Sequence, residues 1–86
     1  MKKPFPLPAV RNPSQLGAAL LRFRRQVFWT QQQTGERAGI KQSMVSQIES
    51  GTSGTRLGTL FKLMAGLDLE LVVRTRKKTL SDGPKE

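Results

Sequence analysis

The stretch WTQQQTGERAGIKQSMVSQIESG, Trp29 to Gly51, limits what this chain can fold into more than any other part of it. Thr30 and Gln33 hold the spacing of a capping box, in which two side chains satisfy each other's orphan backbone N–H groups, so a short helix is expected from about Gln31 to Arg37. Gly39 ends it, because the left-handed conformation of a tight helix stop is strained for any residue with a side chain. A second short helix is expected almost at once, from Gln42 to about Glu49, stopped by Gly51. Gly35 leaves a small position where the second helix can approach the first, and Ala38, Ile40, Val45 and Ile48 supply the apolar contacts between them. With those facing inward, a rotation of about 100° per residue turns Ser43, Ser46 and Gln47 outward, with Gln42 near the exposed N-terminal edge.

The flanking segments have their own signals. NPSQ reads as a helix start, with Asn12 as the cap, Pro13 at the first helical position and Gln15 placed to close a capping box. Leu16, Ala19, Leu20, Phe23 and Val27 then recur at helical spacing, which predicts a helix to about Val27 whose other face carries Arg22, Arg24 and Arg25. Thr55 is the expected cap of a fourth helix with a stripe of Leu57, Leu60, Phe61, Met64 and Leu67; Leu63 lies off that stripe and is expected at a subunit contact. In LELVVRT the period changes to two, with Leu69, Leu71 and Val73 alternating with Glu70, Val72 and Arg74, as in a short strand from Leu69 to Thr75. A lone strand in a helical chain has no partner of its own, so a second copy or another protein must complete the sheet. Residues 1–11 are expected to be a proline-rich arm, 12–75 the domain, and 76–86 a basic tail.

Composition removes several function classes. The 86 residues carry 15 Lys plus Arg against 6 Asp plus Glu, a net charge of +9, which favours a polyanionic partner, nucleic acid before an anionic membrane surface. Cysteine and histidine are absent, which removes disulfides, thiolate metal sites, thiol nucleophiles and the commonest general base. The acids, Glu36, Glu49, Asp68, Glu70, Asp82 and Glu86, do not pair over a substrate, so neither an enzyme nor a cofactor is expected. Prolines at 4, 6 and 8 interrupt any signal-peptide helix, and no apolar run approaches the ~20 residues of a membrane span. A cytoplasmic, nucleoid-associated protein is the expectation.

Two short helices joined through a glycine and flanked by longer ones form a helix-turn-helix arrangement. Its outward side chains hydrogen-bond without charge, which suits base edges in a major groove: glutamine can pair with adenine, and serine tolerates several bases. On this reading Gln42, Ser43, Ser46 and Gln47 face DNA. Lys41 reaches either a guanine edge or a phosphate. Gln31, in the first turn of its helix, and Arg56, after the TSGTR loop, are placed for phosphate. The bland alternative for any one of these is a solvated side chain; Met44 at the margin, Glu49 and Trp29 read as structural, and Arg22, Arg24 and Arg25 as solvated charge.

The quoted stretch resembles the Cro/C1-type (XRE) helix-turn-helix family over about the middle half of the chain. It departs from that family's usual pattern at Thr34, where an apolar residue is common, and at Gly35, where alanine is. WTQ, GIKQ and LDLELVV together resemble the HipB-type antitoxins more closely. That resemblance implies an all-α, four- to five-helix, lambda-repressor-like domain whose short C-terminal strand joins an intersubunit β-sheet in a homodimer. It also implies an autorepressor that binds an inverted-repeat operator and serves as an antitoxin beside a HipA-like serine/threonine kinase, alone or with a further small subunit. Carried onto these residues, it makes Lys41, Gln42 and Ser43 base-reading positions, Gln31 and Ser46 supporting contacts, and Leu69 to Thr75 the dimer strand. The alternatives are a repressor with no toxin partner, and an adaptor of the same fold that binds only protein.

Overall fold

Asn12 opens the first helix: its side-chain oxygen accepts from the Gln15 backbone N–H at 2.8 Å. The Gln15 side chain reaches back one residue further than a capping box requires, accepting from the Arg11 N–H at 2.7 Å. The computed structural model describes residues 9–52 and 54–76, so most of the expected arm and tail lies outside the described residues. Within them four helices follow in order, α1 (Pro13–Gln26), α2 (Gln31–Ala38), α3 (Gln42–Glu49) and α4 (Leu57–Gly66).

Each helix buries one side against the others. Leu20 of α1, Val45 and Ile48 of α3, Leu63 and Met64 of α4, and Leu67 just after it form the core, with Leu16, Trp29, Ile40, Leu60 and Leu69 packed around it. Helix α3 packs on α1 and α2, and α2 also packs on α4. Fully burying an aliphatic side chain of this size contributes roughly 1.5–3 kcal/mol, so each of these residues more than offsets the cost of ordering its own side chain. Helices α1 and α3 meet at Gly17, where an added Cβ would overlap the backbone oxygens of Ile48 and Glu49.

The structure corrects the expectations for Val27, for helix α4 and for Arg24. Val27 is not part of the buried stripe: α1 ends at Gln26, and Val27 is its half-exposed C-cap. Helix α4 is rotated from the expected phase. Leu57 and Phe61, expected inside, are 68% and 47% exposed, whereas Leu63, expected at a subunit contact, is 0% exposed in the core. The inward stripe is therefore Leu60, Leu63, Met64 and Leu67, still at helical spacing, and the helix starts after Arg56 with no side-chain cap rather than after Thr55. Arg24, read as solvated, is half-buried and paired with Glu49.

Residues 69–76 follow α4 as a segment without helix or turn. No strand is formed among the described residues, and none can form until a second backbone lies alongside. Leu69 is partly buried against the core, while Leu71, Val72 and Val73 are 52%, 71% and 88% exposed.

The assignment of Leu63 is testable. Leu63→Ala should lower unfolding stability by about 3 kcal/mol, the usual cost of truncating a buried leucine. Urea unfolding should show that loss at every protein concentration. A loss that vanishes at high concentration would instead return Leu63 to a subunit interface.

Candidate nucleic-acid interface

Helix α3 is held in place from three directions. At its start, Gly39 takes a left-handed conformation with φ 75°, and its neighbour Ile40 donates its backbone N–H to the Gly35 carbonyl at 2.9 Å. A Cβ at Gly35 would stand 2.7 Å from the Ile40 carbonyl oxygen, so the absent side chain is what lets the turn fold back onto α2. Along its length, Val45 and Ile48 are buried, with Met44 half-buried between solvent and core. At its end, Glu49 is gripped by two other elements.

That grip is a network of side chains. Glu49 accepts from Arg24 Nε at 2.5 Å through Oε2 and from Arg24 Nη2 at 3.1 Å through Oε1. Gln31 Nε2 donates to the same Oε1 at 2.9 Å. Arg24 also donates through Nη1 to the Trp29 carbonyl at 2.7 Å. The side chains of Arg24 and Glu49 are only 12% and 5% exposed, so the pair holds its geometry in a medium that screens charge poorly. Two signals for it stand in the sequence. Glu49 is the only acid between Glu36 and Asp68, and Arg24 follows the core residue Leu20 by four positions, which puts it beside the buried stripe.

The outward face of α3 is what remains. Gln42, Ser43, Ser46 and Gln47 are all exposed, as is Lys41, the N-cap residue, whose side chain makes no capping hydrogen bond. Because Glu49 is consumed by Arg24 and Gln31, this helix presents no free carboxylate. A polyanion can therefore approach it without meeting like charge.

Helix α2 starts beside this face. Its capping box is complete, with Thr30 accepting from the Gln33 N–H at 3.0 Å and the Gln33 side chain accepting from the Thr30 N–H at 2.9 Å. The earlier N–H groups of that turn have no helical partner and point along the axis, an arrangement that suits a phosphate. Gln31 is half-buried and already engaged with Glu49, so one amide hydrogen is left for an anion. Arg56 is exposed at the start of α4. Trp29 has the structural role expected of it, with the Arg37 guanidinium stacked 4.1 Å above its ring centre. Among the described residues no group of carboxylates is placed to hold a metal ion, and no helix is long and apolar enough to cross a membrane.

Known proteins share this arrangement. The helix-turn-helix family model matches residues 20–73. The chain is 34% identical over 64 residues to the antitoxin HipB of Escherichia coli (strain K12), an alignment that covers 74% of this chain and 73% of that protein. In a solved complex of HipA, HipB and O2-O3, a chain with 32% identity superposes with a TM-score of 0.77, covering 83% of this chain and all of that one. A HipB–O4 20mer complex gives a TM-score of 0.78 at the same identity and coverage.

One residue of α2 is out of keeping with its surroundings. Thr34 is fully buried, and among the described residues its hydroxyl has no hydrogen-bond partner. A buried, unsatisfied hydroxyl costs about 1–3 kcal/mol. Thr34→Val should therefore raise the melting temperature, with a gain of about 1 kcal/mol after the cost of repacking the methyl group. A loss of stability of that size would show that the hydroxyl is satisfied in solution.

Proposed function

We propose, from the premise that this chain belongs to the helix-turn-helix family and within it to the HipB antitoxins, that it is a dimeric, sequence-specific DNA-binding autorepressor and the antitoxin component beside a HipA-like kinase. The observation that carries the DNA reading is the outward face of α3. Its exposed side chains are neutral hydrogen-bonding groups, on a helix whose only acid is neutralised inside the protein, in a chain of net charge +9. Gln42, Ser43, Ser46 and Gln47 enter the major groove, Lys41 meets a guanine edge or a phosphate, and Gln31 and Arg56 hold the flanking phosphates.

A second copy completes the fold. Leu71 and Val73 stand exposed on a segment whose backbone, beyond the Leu69 N–H that donates to the Met64 carbonyl, forms no ladder among the described residues, and pairing the two copies from residue 70 to 75 satisfies both. Leu69 anchors that segment to the core. A two-fold dimer presents two reading helices, so its operator is an inverted repeat with half-sites about 34 Å apart or a multiple of that.

The kinase partner is supported by the solved complex of HipA, HipB and O2-O3, which superposes on most of this chain. Catalysis has no support in a sequence without histidine or cysteine, and the work proposed places the protein in the cytoplasm on nucleoid DNA. The adaptor reading has no comparable observation behind it.

Gel-shift titration against the chain's own upstream DNA tests the reading. Gln42→Ala with Ser43→Ala should leave folding within about 0.5 kcal/mol of the parent, because both residues are exposed, and should reduce the preference for operator over random DNA by about tenfold or more. The parent's affinity should fall by about a thousandfold between 50 and 200 mM salt, the mark of several phosphate contacts. Unchanged discrimination in the double variant would exclude α3 as the reading element.

A further inference from the structure

The Arg24–Glu49–Gln31 network does more than join helices. Arg24 belongs to α1, Gln31 to the first turn of α2 and Glu49 to the last turn of α3, and the contacts surround the start of α2 on both sides of its cap, Thr30. Arg24 holds the Trp29 carbonyl before the cap, and Glu49 holds the Gln31 side chain after it. A carboxylate only accepts hydrogen bonds, so the Gln31 amide is fixed with its nitrogen toward Glu49. Its second N–H is thereby fixed as well, instead of sweeping through the rotamers of a free glutamine. Ordering a glutamine side chain on binding costs conformational entropy, and here that ordering is done in the free protein.

We infer that Glu49 and Arg24 are positioning residues for DNA binding: they hold the Gln31 amide in the orientation that meets a backbone phosphate, at a fixed offset from the base-reading face of α3. This assignment rests on the DNA-binding function proposed above. It differs from a merely structural role in one respect. A structural ion pair matters only through folding, whereas a positioning pair also decides whether Gln31 contributes to binding at all.

Replacing Glu49 alone would strand a buried cation and risk unfolding, so the informative variant exchanges the pair, Arg24→Met with Glu49→Met. Apolar replacement of a buried ion pair commonly leaves stability unchanged or improves it. In the native background Gln31→Ala should weaken operator binding about tenfold, the worth of one hydrogen bond to a charged group. The methionine pair should itself weaken binding about tenfold while remaining folded by circular dichroism, and adding Gln31→Ala to it should change affinity by less than about twofold. If Gln31→Ala still costs tenfold in the methionine background, or costs nothing in the native one, the assignment is overturned. A second readout needs no variant. In the free parent protein, 15N relaxation should show the Gln31 side-chain amide as rigid as the backbone, and those of Gln32, Gln42 and Gln47 mobile; equal mobility among the four overturns it too. Should the parent protein show no preference for its operator, the DNA-binding reading fails, and this assignment falls with it.

Discussion

An eight-residue helix has no independent stability in water, since nucleation costs more than so short a run of hydrogen bonds returns. Everything the reading face of α3 does depends on the burial of Val45 and Ile48, which fastens that helix to the rest of the protein by one side. The burial also fixes its rotation. With two residues a turn apart pressed into the core, Gln42, Ser43, Ser46 and Gln47 have only solvent to face. The proposed affinity for DNA and the integrity of the fold thus draw on opposite sides of a single short element.

Charge is divided in the same way. The surface as a whole is basic, which attracts a polyanion at long range and without regard to sequence. The outward face of α3 is neutral, and on the function proposed it discriminates at short range by hydrogen bonding. Glu49 could have spoiled that face with a negative charge, but Arg24 and Gln31 draw it inward and consume both of its oxygens.

Much of this was readable in the sequence, because local chemistry decides it. The Thr30–Gln33 box, the stop at Gly39 and the limits of α3 each follow from a few neighbouring side chains, and the structure has them where the spacing puts them. The close approach at Gly35 was readable for the same reason. What was missed depends on tertiary packing. The phase of α4 could not be chosen from Leu57, Leu60, Phe61, Leu63, Met64 and Leu67 alone, because apolar residues nearly surround that helix and only its packing in the core with Leu20, Val45 and Ile48 selects Leu63 over Phe61. Arg24 looked like surface charge because its partner lies 25 positions away. Phe28 gave no signal either: it occupies the turn between α1 and α2 at φ 61°, a left-handed conformation that disfavours a bulky side chain, and the residue is 89% exposed.

The central claim is that the side of α3 opposite Val45 and Ile48 lies in the major groove of duplex DNA. Intermolecular nuclear Overhauser effects between the protein and an operator duplex measure that directly. Contacts from the side chains of Gln42, Ser43 and Gln47 to thymine methyl or base protons of the major groove are the predicted result. Effects arising instead from Leu57, Phe61 or Leu71, with none from α3, would contradict it.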